Sequence, residues 1–192
     1  MFQKSPKVQA GFVPALPRIP AELMMQILAF FRHYVQNGAE NEALLNIYWD
    51  KEEQQFIVDA PEQMVTKTSV DSQLSEKFAS ERYIHYMDIH SHNTMNAFFS
   101  PVDDHDEKAT RLYTVVGRLD GSMPEVRTRI SNGGKFLEID PSEVFVFAGT
   151  SFPSEWKEHV NVKPKHRKGM HKKMFNPIQK IKKSFKKKAA AV

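Results

Sequence analysis

From Leu23 onward, the apolar residues Leu23, Met24, Ile27, Leu28, Phe31 and Tyr34 recur at the spacing of one helical face. Pro20 opens this helix at the first position, where its missing N–H is tolerated, and Asn37-Gly38 ends it. His33 falls on the surface of the helix. Ahead of it, Val8, Phe12, Val13 and Leu16 are interrupted by Pro14, Pro17 and Pro20, which predicts a short edge strand and a turn. Beyond the helix the pattern becomes that of strands. Glu40 to Trp49 reads as a strand, Asp50-Lys51-Glu52-Glu53 as a turn, and Gln55-Phe56-Ile57-Val58 as the returning arm of a hairpin. Thr66 to Val70 is predicted to be another strand, Asp71 to Arg82 a loop or short helix, and Tyr83 to Ile89 a strand rich in aromatic and β-branched residues. Tyr113 to Gly117 reads as a buried strand, and Glu125 to Ile130 alternates like a half-exposed one. Asn132-Gly133-Gly134 turns the chain into Lys135 to Ile139, and Val144 to Phe147 is expected to close the sheet. These elements predict an α/β fold, a mixed β-sheet sandwiched by helices.

Composition narrows the class. At 192 residues and 41% hydrophobic content the chain has apolar material for one domain of ordinary size. No apolar run approaches the length that spans a bilayer. Cysteine is absent, which excludes disulfides and thiol chemistry. Met1 to Lys7 lacks the apolar core of a secretion signal, so a cytoplasmic location is expected.

The net charge of +4 is unevenly spread. Between Lys163 and Lys188 lie twelve of the 27 basic residues and none of the 23 acidic ones, so residues 1–162 carry a net charge of −8. The chain therefore divides into an acidic body, 1–162, and a basic tail, 163–192. Within the tail, Asn176 and Pro177 could start a short helix with Ile178, Ile181 and Phe185 on one side and lysines around them. Such a segment suits nucleic-acid phosphates or anionic lipid; a disordered solubilising tail is the ordinary alternative.

The stretch from His90 to Asp103 holds the candidate chemistry. His90 and His92 alternate at the end of a strand and project from the same face. Ser100 can cap a helix that Pro101 opens, which places Asp103 in the first helical turn. Taken singly, His-x-His on a strand is usually polar surface, and Ser-x-x-Asp usually a capping box. Together, two imidazoles and one carboxylate suit a metal that keeps a position open for water. Asp104-His105-Asp106-Glu107 reads as a charged helix start, where acids favour the helix dipole. The Thr94 to Phe99 loop is apolar and either contacts a substrate or belongs to the core.

The full spacing, His-x-His-x(7)-Ser-x(2)-Asp, resembles the JAMM motif of the JAB/MPN metalloproteases, without insertion or deletion. This family includes metal-dependent deubiquitinating isopeptidases and their prokaryotic relatives. The resemblance extends from about Val8 to about Phe152. It implies a JAB/MPN-type fold and Zn²⁺ held by His90, His92 and Asp103. The implied reaction is zinc-dependent hydrolysis of an amide or isopeptide bond, with a protein or peptide substrate such as a ubiquitin-like conjugate. It further implies a glutamate general base at the start of the strand after the first helix, a place that Glu42 fits best and for which Glu40 competes. Ser100 would donate to the developing oxyanion. Asp88 and Ser91 could orient the ligand imidazoles. Two positions depart from the family pattern: Leu45 stands where glycine is common, and Asn93 where proline is common. The alternative reading is a JAB-fold binding module without catalysis, recruited by its basic tail to nucleic acid or an anionic membrane.

Overall fold

Two hydrogen-bonding patterns on one strand, β5 (Tyr83–Ser91), set the architecture. On one side β5 runs antiparallel to β1 (Leu44–Asp50), which turns through Lys51–Gln54 into β2 (Gln55–Asp59). On the other it runs parallel to β6 (Arg111–Gly117), which continues antiparallel into β7 (Glu125–Asn132) and β8 (Lys135–Ile139). The six-stranded order is β2-β1-β5-β6-β7-β8. A parallel pair cannot be joined by a tight turn, so the chain between β5 and β6 crosses over through residues 92–110. That crossover contains a six-residue helix, α2 (Pro101–Asp106). The computed structural model describes residues 11–35 and 40–147, all of which belong to one compact unit, Met1–Thr150. It is a mixed α/β domain with a largely β-sheet core and few helices.

Strand alternation separates the two faces of the sheet. Leu45, Ile47 and Trp49 of β1 and Met87 and Ile89 of β5 join Met24, Ile27 and Phe31 of helix α1 (Ala21–His33) in one buried cluster. Ile27, Phe31, Ile47 and Ile89 are at most 1% exposed, and each such side chain contributes roughly 1.5–3 kcal/mol by leaving water. Arg32 ties α1 down by donating to the carbonyls of Leu119 (3.2 Å) and Gly121 (3.0 Å). The opposite face is polar along its centre. Register places Leu44 beside His90, Asn46 beside Asp88 and Tyr48 beside His85. A bulge between Ile47 and Tyr48 makes Tyr86 the extra residue, which keeps His85 on the same face as Asp88 and His90.

Several expected elements are placed differently. Thr66 to Val70 is not a strand. The hairpin consists of β3 (Glu62–Val65) and β4 (Val70–Gln73), and Thr66–Ser69 is its turn, closed by Thr66 N–H to the Ser69 carbonyl at 2.9 Å. β1 begins at Leu44 rather than Glu40. The expected edge strand near Phe12 is absent over residues 11–18, where Val13 is 88% exposed. Val144 to Phe147 does not close the sheet; Phe145 makes only an isolated parallel bridge with Ile19. Both are fully buried, so this segment packs as core rather than as an edge. Among the described residues the sheet is not sandwiched by comparable helices, since α1 has thirteen residues and α2 six. Asn37-Gly38, residues 8–10 and the basic tail with its boundary near Val162 lie outside the described residues.

Candidate metal centre

His90 and His92 stand at the carboxyl end of β5, where the parallel pair opens into its crossover. Ligand sites in α/β sheets form at such ends because the loops there leave a crevice. His90 is flanked in register by Leu44 and by the fully buried Val115. His92 is held by its own N–H, which donates to the Val116 carbonyl at 2.7 Å. The Phe98 ring meets the His92 ring edge-on at 4.6 Å.

The crossover returns the carboxylate. Asn93 has φ of 51°, a conformation that asparagine tolerates and that proline, locked near −65°, cannot adopt. Its amide donates to the carbonyls of Glu40 and Lys67, both at 3.0 Å, and so joins three segments around the site. Proline, which is common at this place in the motif that the stretch resembles, could not take this conformation. Leu45, the other departure, is a core residue of the opposite face. At α2 the Asp103 N–H donates to Ser100 Oγ at 3.3 Å, and the Ser100 N–H donates to Asp103 Oδ2 at 2.5 Å. This capping box occupies Oδ2 and leaves Oδ1 to face His90 Nε2 at 3.5 Å.

The three expected ligands converge. One donor atom from each of His90, His92 and Asp103 lies within 4.8 Å of the others. The two Nε2 atoms are 3.2 Å apart. Donors at the usual zinc distances and tetrahedral angles are separated by about 3.3–3.4 Å, so the spacing fits a zinc-sized ion with a fourth position free. Protonation states fit as well. Burial pushes the His90 imidazole down to about 4, opposed by the Asp103 charge, and pushes His92 down too. Both rings are therefore neutral near pH 7, as metal ligands must be.

Glu42 and Glu40 differ sharply in environment. Glu42 is 6% exposed, and burial together with the nearby Asp103 charge raises its carboxyl to about 7. Glu40 forms an ion pair with Lys67 at the surface, and that bond lowers its carboxyl. Of these two, Glu42 has the buried, basic character of a group that could accept a proton near neutrality.

The imidazole-orienting roles expected of Asp88 and Ser91 are not found. Ser91 lies on the opposite face, where its hydroxyl accepts the Ala43 N–H at 3.0 Å. Asp88 instead bonds His85 Nε2 at 2.5 Å and pairs with Arg111 at 3.3 Å. His92 Nδ1 is buried, and the hydrogen-bonding group set beside this imidazole is the backbone of Asn96 rather than Asp88 or Ser91. In the adjacent loop Ala97 is buried, Phe98 is 42% exposed and Phe99 is half-buried, so this loop divides between core and surface.

One interaction of the site region leaves no mark in its own sequence neighbourhood. Arg129, on β7, is 4% exposed and pairs with Asp104 and Glu107 of the crossover. Burial raises the Glu107 carboxyl to about 8, with the Arg129 bonds opposing the rise. Asp104 and Glu107 are thus bound partners of a buried guanidinium, in addition to following a helix start.

No family model matches the chain, and no curated protein matches it. Among solved structures, it is similar to the solution structure of protein DSY2949 from Desulfitobacterium hafniense, at 14% identity and a TM-score of 0.45. That match covers 64% of this chain and 89% of the other. No helix among the described residues is long and apolar enough to cross a membrane.

Proposed function

We propose that this chain is a zinc-dependent peptidase or isopeptidase of the JAB/MPN type, cleaving an amide bond in a protein or peptide substrate. The observation that carries this reading is the convergence of His90, His92 and Asp103 beside a buried carboxyl, Glu42. The match of their spacing to the JAMM motif supports it further. His90, His92 and Asp103 would hold the divalent ion, which would supply a Lewis acid for the scissile carbonyl and would lower the pKa of its water from about 15.7 toward about 7.

The remaining work falls to side chains. Glu42, raised to about 7, accepts the proton of the attacking water and returns it to the departing amine. Ser100 Oγ accepts the Asp103 N–H, so its own hydroxyl proton is free to donate to the oxyanion. Such a donor is worth about 3 kcal/mol. Leu44 and Val115 flank His90 in the sheet, and Phe98 packs edge-on against His92. A ubiquitin-like C-terminal tail is the substrate class that the resemblance suggests.

Elemental analysis after reconstitution should find about one zinc per chain, and His92→Ala should abolish most of it. A wild-type protein that takes up no zinc refutes the enzyme reading. Hydrolysis is then sought on peptides with modifier-like C-termini. The charge segregation favours a second, separable property, polyanion binding through Lys163 to Lys188. Deleting 163–192 should remove salt-sensitive binding to nucleic acid or anionic vesicles and spare zinc uptake.

A further inference from the structure

α2 lacks what usually holds a helix. It has six residues, too few for a stable helix on its own, and none of them is buried. Val102, its one aliphatic residue besides Pro101, is 67% exposed. Yet this helix must hold Asp103 within a fraction of an ångström for metal binding. The Ser100 capping box fixes the carboxylate relative to its own turn, but not the turn relative to the sheet.

Arg129 supplies that second restraint. Its guanidinium lies between the Phe99 and Phe136 rings, 3.9 and 3.8 Å from their centroids. From there Nη1 donates to Asp104 Oδ1 at 2.5 Å and Nε to Glu107 Oε2 at 2.8 Å, while Nη2 stands 2.7 Å from the same oxygen as an ion pair without hydrogen-bond geometry. Phe99 immediately precedes the cap, Asp104 immediately follows Asp103, and Glu107 ends the helix. One side chain of β7 therefore grips the crossover on both sides of the ligand. The planar fork and the stacking are properties of arginine that lysine does not share.

We propose that Arg129 is the positioning residue for the metal centre, holding Asp103 in ligand geometry through Phe99, Asp104 and Glu107. This inference rests on the zinc-site reading above. Zinc affinity of the full chain, measured by competition with a chromogenic chelator, tests it alongside thermal stability and amide exchange of residues 101–107 in the metal-free protein. Arg129→Gln should weaken zinc roughly 10–100-fold, the range for partners that orient ligands, and should speed exchange across α2. Arg129→Lys should recover part of the affinity. Ile27→Val, in the core on the other face, should lower stability without moving zinc affinity, which separates positioning from general destabilisation. Asp104 is half-exposed and asparagine keeps a polar oxygen toward Arg129, so Asp104→Asn is the milder variant and is expected to fold even where Arg129→Gln does not. It should weaken zinc about twofold to fivefold. Unchanged zinc affinity in a folded Arg129→Gln, or in Asp104→Asn should the first variant not fold, overturns the inference while leaving the metal site intact. A wild-type protein that binds no zinc overturns the site reading itself.

Discussion

Ser91 and Ala43 are bound to each other twice: the Ser91 N–H donates to the Ala43 carbonyl at 2.9 Å, and the Ser91 hydroxyl accepts the Ala43 N–H at 3.0 Å. This pair continues the register that sets Leu44 beside His90. It carries the register to the next position, so Glu42 stands opposite His92 on the polar face. Strand pairing thus brings the proposed base to the proposed ligands, with its own N–H held by the Thr66 carbonyl at 2.8 Å.

A carboxyl kept there is costly to the fold above neutrality, and Glu42→Gln should show both consequences. The amide cannot accept the proton, so turnover should fall by a factor of at least about 100, with zinc retained. The folded-state pKa is raised to about 7, so the native state binds the proton more tightly than the unfolded chain. Wild-type metal-free protein therefore loses stability as pH rises from about 4.5 through 7, and the Gln variant escapes that loss. Urea midpoints should favour Glu42→Gln at about pH 8. A variant with wild-type turnover on a cleavable substrate would show that another residue is the base, and Glu40→Gln is the matched control.

The motif was legible because its parts lie within fourteen consecutive residues, and local rules govern each of them. Strand alternation aligns His90 with His92, and a capped helix start orients Asp103. Helix α1 was legible for a similar reason, its periodic apolar face being matched by a real core. Relationships made by tertiary register were not legible. Arg129 sits in an alternating strand that reads as half-exposed, and nothing local says that its partners are Asp104 and Glu107. The bulge at Ile47/Tyr48, which turns His85 toward Asp88, likewise depends on pairing between two strands. Val144 to Phe147 misled because a short apolar run fits a buried strand and a packed core segment equally well.

Gly117 shows how tightly the crossover is seated. A Cβ built there would stand 2.4 Å from both the Ala97 nitrogen and the Met95 carbonyl oxygen, and 2.6 Å from the Asn96 carbonyl carbon. All three are backbone atoms, and the Met95 carbonyl also accepts the Arg118 N–H at 2.7 Å, so the loop cannot yield without breaking a bond. Gly117→Ala should cost ~1–3 kcal/mol by overpacking and weaken zinc binding by displacing the path from His92 to Ser100. Gly11→Ala, with nothing within 4 Å of the new methyl, should leave both unchanged. Denaturant unfolding and the zinc competition assay read the two effects. Equal behaviour of the two variants would mean that the loop adapts without cost.

Asp50 and Arg82 lock the end of the sheet away from the proposed ligands. Asp50 closes β1 and is 1% exposed, and Arg82 donates to it with Nε at 2.9 and 3.0 Å and Nη2 at 2.5 Å. Its Oδ1 also accepts the N–H groups of Glu52 at 2.9 Å and Glu53 at 3.2 Å. One carboxylate thereby fixes the β1–β2 turn and the start of β5 together. The Arg82 hydrogen bonds, aided by the two backbone donors, hold this carboxyl down at about 2 against the opposing effect of burial. A depressed carboxyl stabilises the fold above its ordinary value near 3.8, and that contribution disappears as pH falls through about 2. Asp50→Asn should therefore be less stable than wild type at about pH 5, and its stability should change less between about pH 4 and pH 2. Unfolding midpoints across that range decide the matter. If the two proteins lose stability in parallel on acidification, Asp50 is not a group whose protonation drives acid unfolding.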